Sequence, residues 1–280
     1  MKVLIKFFAV VGILAICCLI STAQTSKKDE PKFDRADFSR KFEVVEWLVE
    51  YDNVAWKTTD VLMAQSKSEM SKLGAEWFCF QDKNKAWHAV YGKLTDGKYD
   101  LVFHFVMDPA SKITRTTEKI DQEFLDSHAI ALKTATTKLA ASIPADSPRF
   151  NQYIRRNEDK SFNVWLLPAF QTDGLAVYGG EAVYEIDKTG GKITKDESYF
   201  QKAFRGFKSV PPREIWLNYI EQEKPSLGAI FFVWYYKPYF TKIFIDNSES
   251  TSSTINAGDN RFIWEHVEKD KKDDVKPKQF

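Results

Sequence analysis

The chain has 280 residues, 44% of them apolar and 15% aromatic, which is ample material for a hydrophobic core. Lys and Arg number 40 against 39 Asp and Glu, a formal net charge of +1. That balance excludes a polyanion-binding surface and an acidic disordered chain, so nucleic acid is not an expected partner.

Met1–Lys6 carries two lysines, Phe7–Ile20 is an unbroken apolar run, and Ser21-Thr22-Ala23 puts small residues before Gln24. This is the pattern of a signal peptide over 1–23, and it predicts an exported protein, periplasmic or extracellular, after cleavage near Ala23–Gln24. The run would cover about 21 Å of a ~30 Å hydrocarbon core, so no membrane span is expected after cleavage. Cys17 and Cys18 are preceded by Ile16 and by a cysteine, not by the small residue that lipoprotein processing wants. Cleavage leaves Cys79 alone, which rules out an internal disulfide. Within Trp77-Phe78-Cys79-Phe80 it reads as packing.

Residues 24–37 are polar and read as a linker. A region over 38–145 has the pattern helix, three strands, helix. The first helix starts at Lys41 behind a Ser39 N-cap, with Val44, Trp47, Leu48, Tyr51, Ala55 and Leu62 on one stripe. Trp47 and Tyr51 are expected in the core. Ala75–Phe80, Ala86–Tyr91 and Tyr99–Met107 are aromatic-rich strands, and Asp96-Gly97 is a hairpin signal. The second helix covers about Thr117–Ser142, with His128 on its apolar side, and Pro144 and Pro148 end it. His128 is expected as a core histidine.

The region 146–268 reads as mostly β. Its expected strands are Asn151–Arg155, Ser161–Leu167, Leu175–Asp187, Lys192–Asp196, Glu214–Ile220, Ala229–Tyr236, Phe240–Asp246 and Arg261–Glu268. Ala229–Tyr236 is apolar on both faces, which fits a central strand. Asn247–Asn260 reads as a loop and 269–280 as a disordered charged tail. The pattern predicts an α+β fold: antiparallel β-sheets with two main helices, the second half mostly β.

Signatures of known chemistry are scarce. The mature chain holds no G-x-S-x-G, S-x-x-K or H-E-x-x-H. Gly92–Lys98 matches the first seven positions of a phosphate loop, but Tyr99 stands where a magnesium ligand must be. The 39 acidic residues offer many carboxylate pairs, and spacing selects none. Catalytic residues therefore stay unassigned, and no cofactor is expected. Aromatic enrichment fits either a sugar- or lipid-holding cleft or a β-rich core, and its placement within the strand and helix patterns favours the core. The reading that follows is a non-catalytic binding or envelope-interaction module for a protein, glycan or small-molecule ligand. The alternative is a hydrolase using a carboxylate pair.

Val164-Trp165-Leu166-Leu167-Pro168, Gly179–Asp187 and Pro225–Phe231 resemble a stretch in uncharacterised exported bacterial proteins. The resemblance runs from Val164 to Asp246 and implies no activity. Pro225-Ser226 is also similar to the Pro-Ser-x-x-Asp end of JAMM-type zinc hydrolase sites. Ala229 replaces that aspartate, and Leu217-Asn218-Tyr219 offers no histidine pair.

His88 and His104 are the only histidines that hairpin geometry can bring together. If Asp96-Gly97 forms a two-residue turn, His88 faces Phe105 and His104 faces Ala89, on opposite sides of the sheet. If Thr95-Asp96-Gly97 forms a three-residue turn, His88 sits across from His104 at about 5 Å between Cβ atoms. Asp-Gly allows either register. No third ligand is identifiable in the sequence, so no stoichiometric metal is expected.

Overall fold

The computed structural model describes residues 33–259 and 261–269, so the expected signal peptide, residues 24–32 of the linker and the tail from 270 lie outside the described residues. The fold is α+β, as the pattern predicts. Helix α1 (Arg35–Met63) starts ahead of the expected Lys41, because Asp34 and not Ser39 is its N-cap and accepts the Asp37 N–H at 2.9 Å. Phe33 and Phe38 anchor this start in the core, both packing on His266. A short helix α2 (Lys67–Met70) follows.

Strands β1 (Trp77–Gln81), β2 (Trp87–Thr95), β3 (Lys98–Met107) and β4 (Ile113–Arg115) form one sheet in that order. Helix α3 (Gln122–Ser142) is capped by Asp121, which accepts the Phe124 N–H at 2.8 Å. The second sheet holds β5 (Phe150–Arg156), β6 (Phe162–Pro168), β7 (Leu175–Ile186) and β8 (Ile193–Asp196), with β9 (Tyr199–Lys208) also paired to β7. Strand β9 escapes sequence reading because none of its residues is fully buried and Lys202, at a φ of 63°, breaks the alternation.

Two cores separate the layers, and neighbouring strand residues feed opposite ones. Cys79, Ala89, Tyr153 and Trp165 point to the core beneath α1, whereas Phe78, Val90, Ile154 and Val164 point to the core beneath α3. Both cores draw on residues before and after Pro144. Tyr51, Cys79 and His128 are buried as expected, and burial pushes the Cys79 thiol up. Burial lowers His128 to about 3 against a weaker opposing bond to the Phe124 carbonyl.

The third sheet corrects two expectations. Ala229–Tyr236 is not a strand: it belongs to helix α4 (Leu227–Tyr236), capped by Ser226, whose Oγ accepts the Ala229 N–H at 3.1 Å. An apolar run of this length fits a buried helix as well as a buried strand, and the Pro225-Ser226 start decides for the helix. Helix α4 is the crossover that lets β10 (Glu214–Tyr219) and β11 (Lys242–Asn247) pair in parallel, the one parallel pair among the described strands. The expected loop Asn247–Asn260 contains β12 (Ser250–Asn256), which pairs with β11 and with β13 (Phe262–Glu268). Its Ser250, Ser252, Ser253 and Thr254 are buried, a hydroxyl-rich interior that composition reads as a loop.

Two buried carboxylates tie α4 in place. Asp52 of α1 accepts from Asn151 Nδ2 (3.1 Å), Tyr153 OH (2.9 Å) and Tyr235 OH (2.7 Å), which joins α1, β5 and α4. Glu181 of β7 accepts from Ser226 Oγ at 2.8 Å, and burial raises it to about 7. Gly228 is required there, since a Cβ would overlap the Glu181 carboxylate.

Candidate functional site

The β2–β3 hairpin follows neither expected register throughout. Asp96 (φ 51°) and Gly97 (φ 80°) form the two-residue turn, and Thr95 pairs with Lys98. The register then shifts between Gly92↔Leu101 and Tyr91↔Phe103, so Val102 is an extra, bulged residue. Beyond it Val90 opposes His104 and His88 opposes Val106. Both histidines now share a face as diagonal neighbours, and His88 Nδ1 lies 2.8 Å from His104 Nε2. That separation is a direct hydrogen bond and leaves no room for a metal between the rings.

The proton assignment follows from the far end of this hydrogen-bond chain. His104 Nδ1 is 3.3 Å from the Glu118 main-chain carbonyl, which only accepts, so Nδ1 carries the proton. His104 Nε2 is then the acceptor and His88 Nδ1 the donor. Among the described residues, His88 Nε2 is buried without a hydrogen-bond partner, and His88 as a whole is 7% exposed. Burial and the neighbouring His88 both lower the pKa of His104.

Asp82 Oδ2 stands 3.7 Å from His88 Nε2, too far for a hydrogen bond. Its other oxygen accepts the N–H groups of Asn84 (2.8 Å) and Ala86 (2.9 Å), which fixes the β1–β2 turn. Burial works against ionisation, yet these bonds and His88 hold the Asp82 carboxyl below its ordinary value. Phe80 stacks on His88 at 4.7 Å, and Phe124 meets Phe80 edge-on at 4.9 Å. These groups, with the segment Glu118–Asp121 and Arg156, line a cleft of about 680 Å³.

A second cleft of about 410 Å³ shares Phe80, Phe124 and Arg156 with the first. Its cations come from the end of β5. Arg155 lies over Trp47 and Trp165 (5.3 and 5.4 Å), and Arg156 over Phe124 and Phe162 (5.4 and 5.9 Å). Trp47, expected in the core, is only partly buried and forms a wall here. Among the described residues, no carboxylate comes within 4.0 Å of either guanidinium and neither makes a side-chain hydrogen bond; Arg156 Nε is buried without a partner. Among the described residues, no Asp or Glu lines this second cleft.

Two larger depressions, about 830 and 890 Å³, flank α3 near Gly97, but no buried group without a partner lines them. Asp52 and Glu181, the most deeply buried carboxylates, line none of the clefts described above. Among the described residues, no group of three or more His, Cys, Asp or Glu is arranged to hold a metal ion. His266 is also structural: it stacks on Phe33 and bonds Ser252 Oγ at 2.9 Å.

Sequence reasoning singled out His88 and His104 but missed Asp82, Arg155 and Arg156. Consecutive arginines closing β5 were the available signal. No family model, curated protein or solved structure matches this chain.

Proposed function

We propose that this is an exported binding protein whose joined clefts take a small anionic ligand, a carboxylate or phosphate with an aromatic or apolar body. One observation carries the reading: Arg155 and Arg156 present guanidiniums without carboxylate partners to an aromatic-walled cleft that no acid lines. Partly withdrawing two guanidiniums from water costs free energy unless something accepts their hydrogen bonds, and ring faces answer only the charge. A carboxylate or phosphate supplies the missing acceptors in the planar, forked geometry that arginine matches. Trp47, Phe80 and Phe124 then offer contact area for the rest of the ligand. Export rests on the lysines, apolar run and small-residue exit of Met1–Ala23.

Titration calorimetry with 3-phenylpropionate and phenyl phosphate tests the binding reading, with phenethylamine as the cationic control. Both anions are expected to bind, and phenethylamine alone to bind weakly or not at all. Replacing Arg155 and Arg156 together by Gln is expected to weaken the anions about tenfold or more, since hydrogen bonds to charged groups are worth roughly 1.5–3 kcal/mol each. Equal binding by the parent and the double variant would contradict the reading.

A further inference from the structure

We infer that the ligand is the carboxyl-terminal end of a peptide with an aromatic or large apolar last residue, seated on the free main-chain edges of β1 and β5. The inference rests on the anion-binding reading of the arginines and names the class of molecule that carries the anion.

Its own observation is the seam between the first two sheets. Strands β1 and β5 are each an edge of their sheet, and among the described residues no main-chain hydrogen bond joins them. Side chains bridge the seam instead. The Tyr51 hydroxyl accepts the Cys79 N–H at 2.8 Å and also the Ile154 N–H, and Gln152 Nε2 donates to the Trp77 carbonyl at 3.0 Å. Trp77 is thus level with Gln152 and Cys79 with Ile154, so the two strands run in the same direction. Gln81 and Arg156 come next. Main-chain groups alternate in direction along a strand, so those of Gln81 and Arg156 turn toward the seam like those of Cys79 and Ile154. The following residues fix the phase: the N–H groups of Asp82 and Asn157 turn the other way, to the carbonyls of Ala86 (2.9 Å) and Ser161 (2.8 Å). No side chain bridges the seam at Gln81 and Arg156 among the described residues, since Gln81 Nε2 bonds the Lys85 carbonyl. Here the second cleft opens, lined by both residues.

Unpaired strand edges are a template for another chain, and this one adjoins two guanidiniums that lack carboxylate partners. A peptide entering carboxyl end first runs antiparallel to both strands, the better-bonded arrangement. Its peptide groups meet the main chain of Gln81 and Arg156, its carboxylate meets Arg155 and Arg156, and its last side chain lies against Trp47, Phe80 and Phe124. An anion without peptide groups answers the arginines and leaves the strand edges to water. No covalent step is required.

Calorimetry on the full mature chain compares 3-phenylpropionate, N-acetyl-phenylalanine and N-acetyl-alanyl-alanyl-phenylalanine. The acetylated tripeptide is expected to bind about tenfold tighter than 3-phenylpropionate, the gain of a few neutral hydrogen bonds, with N-acetyl-phenylalanine in between. Its carboxyl-terminal amide is expected to bind about tenfold weaker than the acid. Methylating every peptide nitrogen should return the tripeptide to the affinity of 3-phenylpropionate. Gln81→Pro removes an N–H that faces the seam and no bond to β2, and should narrow the tripeptide's advantage. The methylated ligand tests the same contact on the parent protein, whether or not that variant folds. If 3-phenylpropionate binds and the tripeptide binds no tighter, the peptide inference is wrong and the anion reading stands. If N-acetyl-phenylalanine equals the tripeptide, the ligand is an acylated amino acid and the inference is overturned. An undiminished advantage after methylation, or an amide as tight as the acid, overturns it as well. If no anion binds, the anion reading fails and takes the inference with it.

Discussion

Val233→Asp is expected to destabilise the protein by about 3–5 kcal/mol and to lower its melting temperature by roughly 10 °C or more. Val233 has no exposed surface and sits at the centre of α4, within the core that α1 and all three sheets share. An aspartate there finds no cation: the nearest charged neighbour in sequence, Lys237, has its Nζ over the Trp234 ring and bonded to the Trp234 carbonyl. The buried charge is left unpaired, or the side chain takes a proton and still leaves polar atoms without partners. Thermal melts of the parent and the variant check the result. A variant melting within a degree or two of the parent would mean that α4 is not a core element.

Stability is expected to peak near pH 6.5 and to fall on both sides, for separable reasons. Burial depresses His128 to about 3 in the folded chain. Its contribution is therefore complete above pH 6.5 and is lost as pH falls from about 6.5 through 3, where the unfolded chain binds a proton that the folded chain refuses. The loss is on the order of 5 kcal/mol, because each tenfold difference in proton affinity between the folded and unfolded chains is worth about 1.36 kcal/mol. His266, lowered to about 4 by burial and by Arg35, and His104 act in the same direction. Glu181 has the opposite sign. Burial raises it to about 7 against the bond from Ser226. Its contribution is complete below about pH 4.5 and is lost as pH rises through 7, on the order of 3 kcal/mol. Between pH 4.5 and 6.5 the two trends oppose each other, and the three histidines outweigh Glu181. Urea unfolding at about pH 4, 6.5 and 8 checks this: Glu181→Gln should flatten the alkaline limb and His128→Phe should make the acid limb shallower. A parent whose midpoint is constant across that range would contradict both assignments.

The elements legible in the sequence were those whose periodicity matches a single exposed face. Helices α1 and α3 and most strands fall close to their expected positions, because each presents one stripe or one alternation to a core. Helix α4 was not legible as a helix: a run apolar on every side has no period, and only the Ser226 cap distinguishes the two states. Strand β12 was hidden by its serines. For the site, the histidines were legible as candidates, but their meeting depends on the bulge at Val102, which no residue in the turn announces. The arginines were illegible for a different reason. Arg155 and Arg156 gain meaning only once β5 is set beside the Phe80 end of β1 and the start of α3, a contact between segments far apart in sequence.

The most direct measurement of the central claim is a crystal structure of the protein grown with 3-phenylpropionate. The expected result is density in the joined clefts, with the carboxylate on the guanidiniums of Arg155 and Arg156 and the phenyl ring against Phe80 and Phe124. Empty clefts at saturating ligand, or Arg155 and Arg156 turned away to pair with carboxylates of the protein itself, would contradict the account.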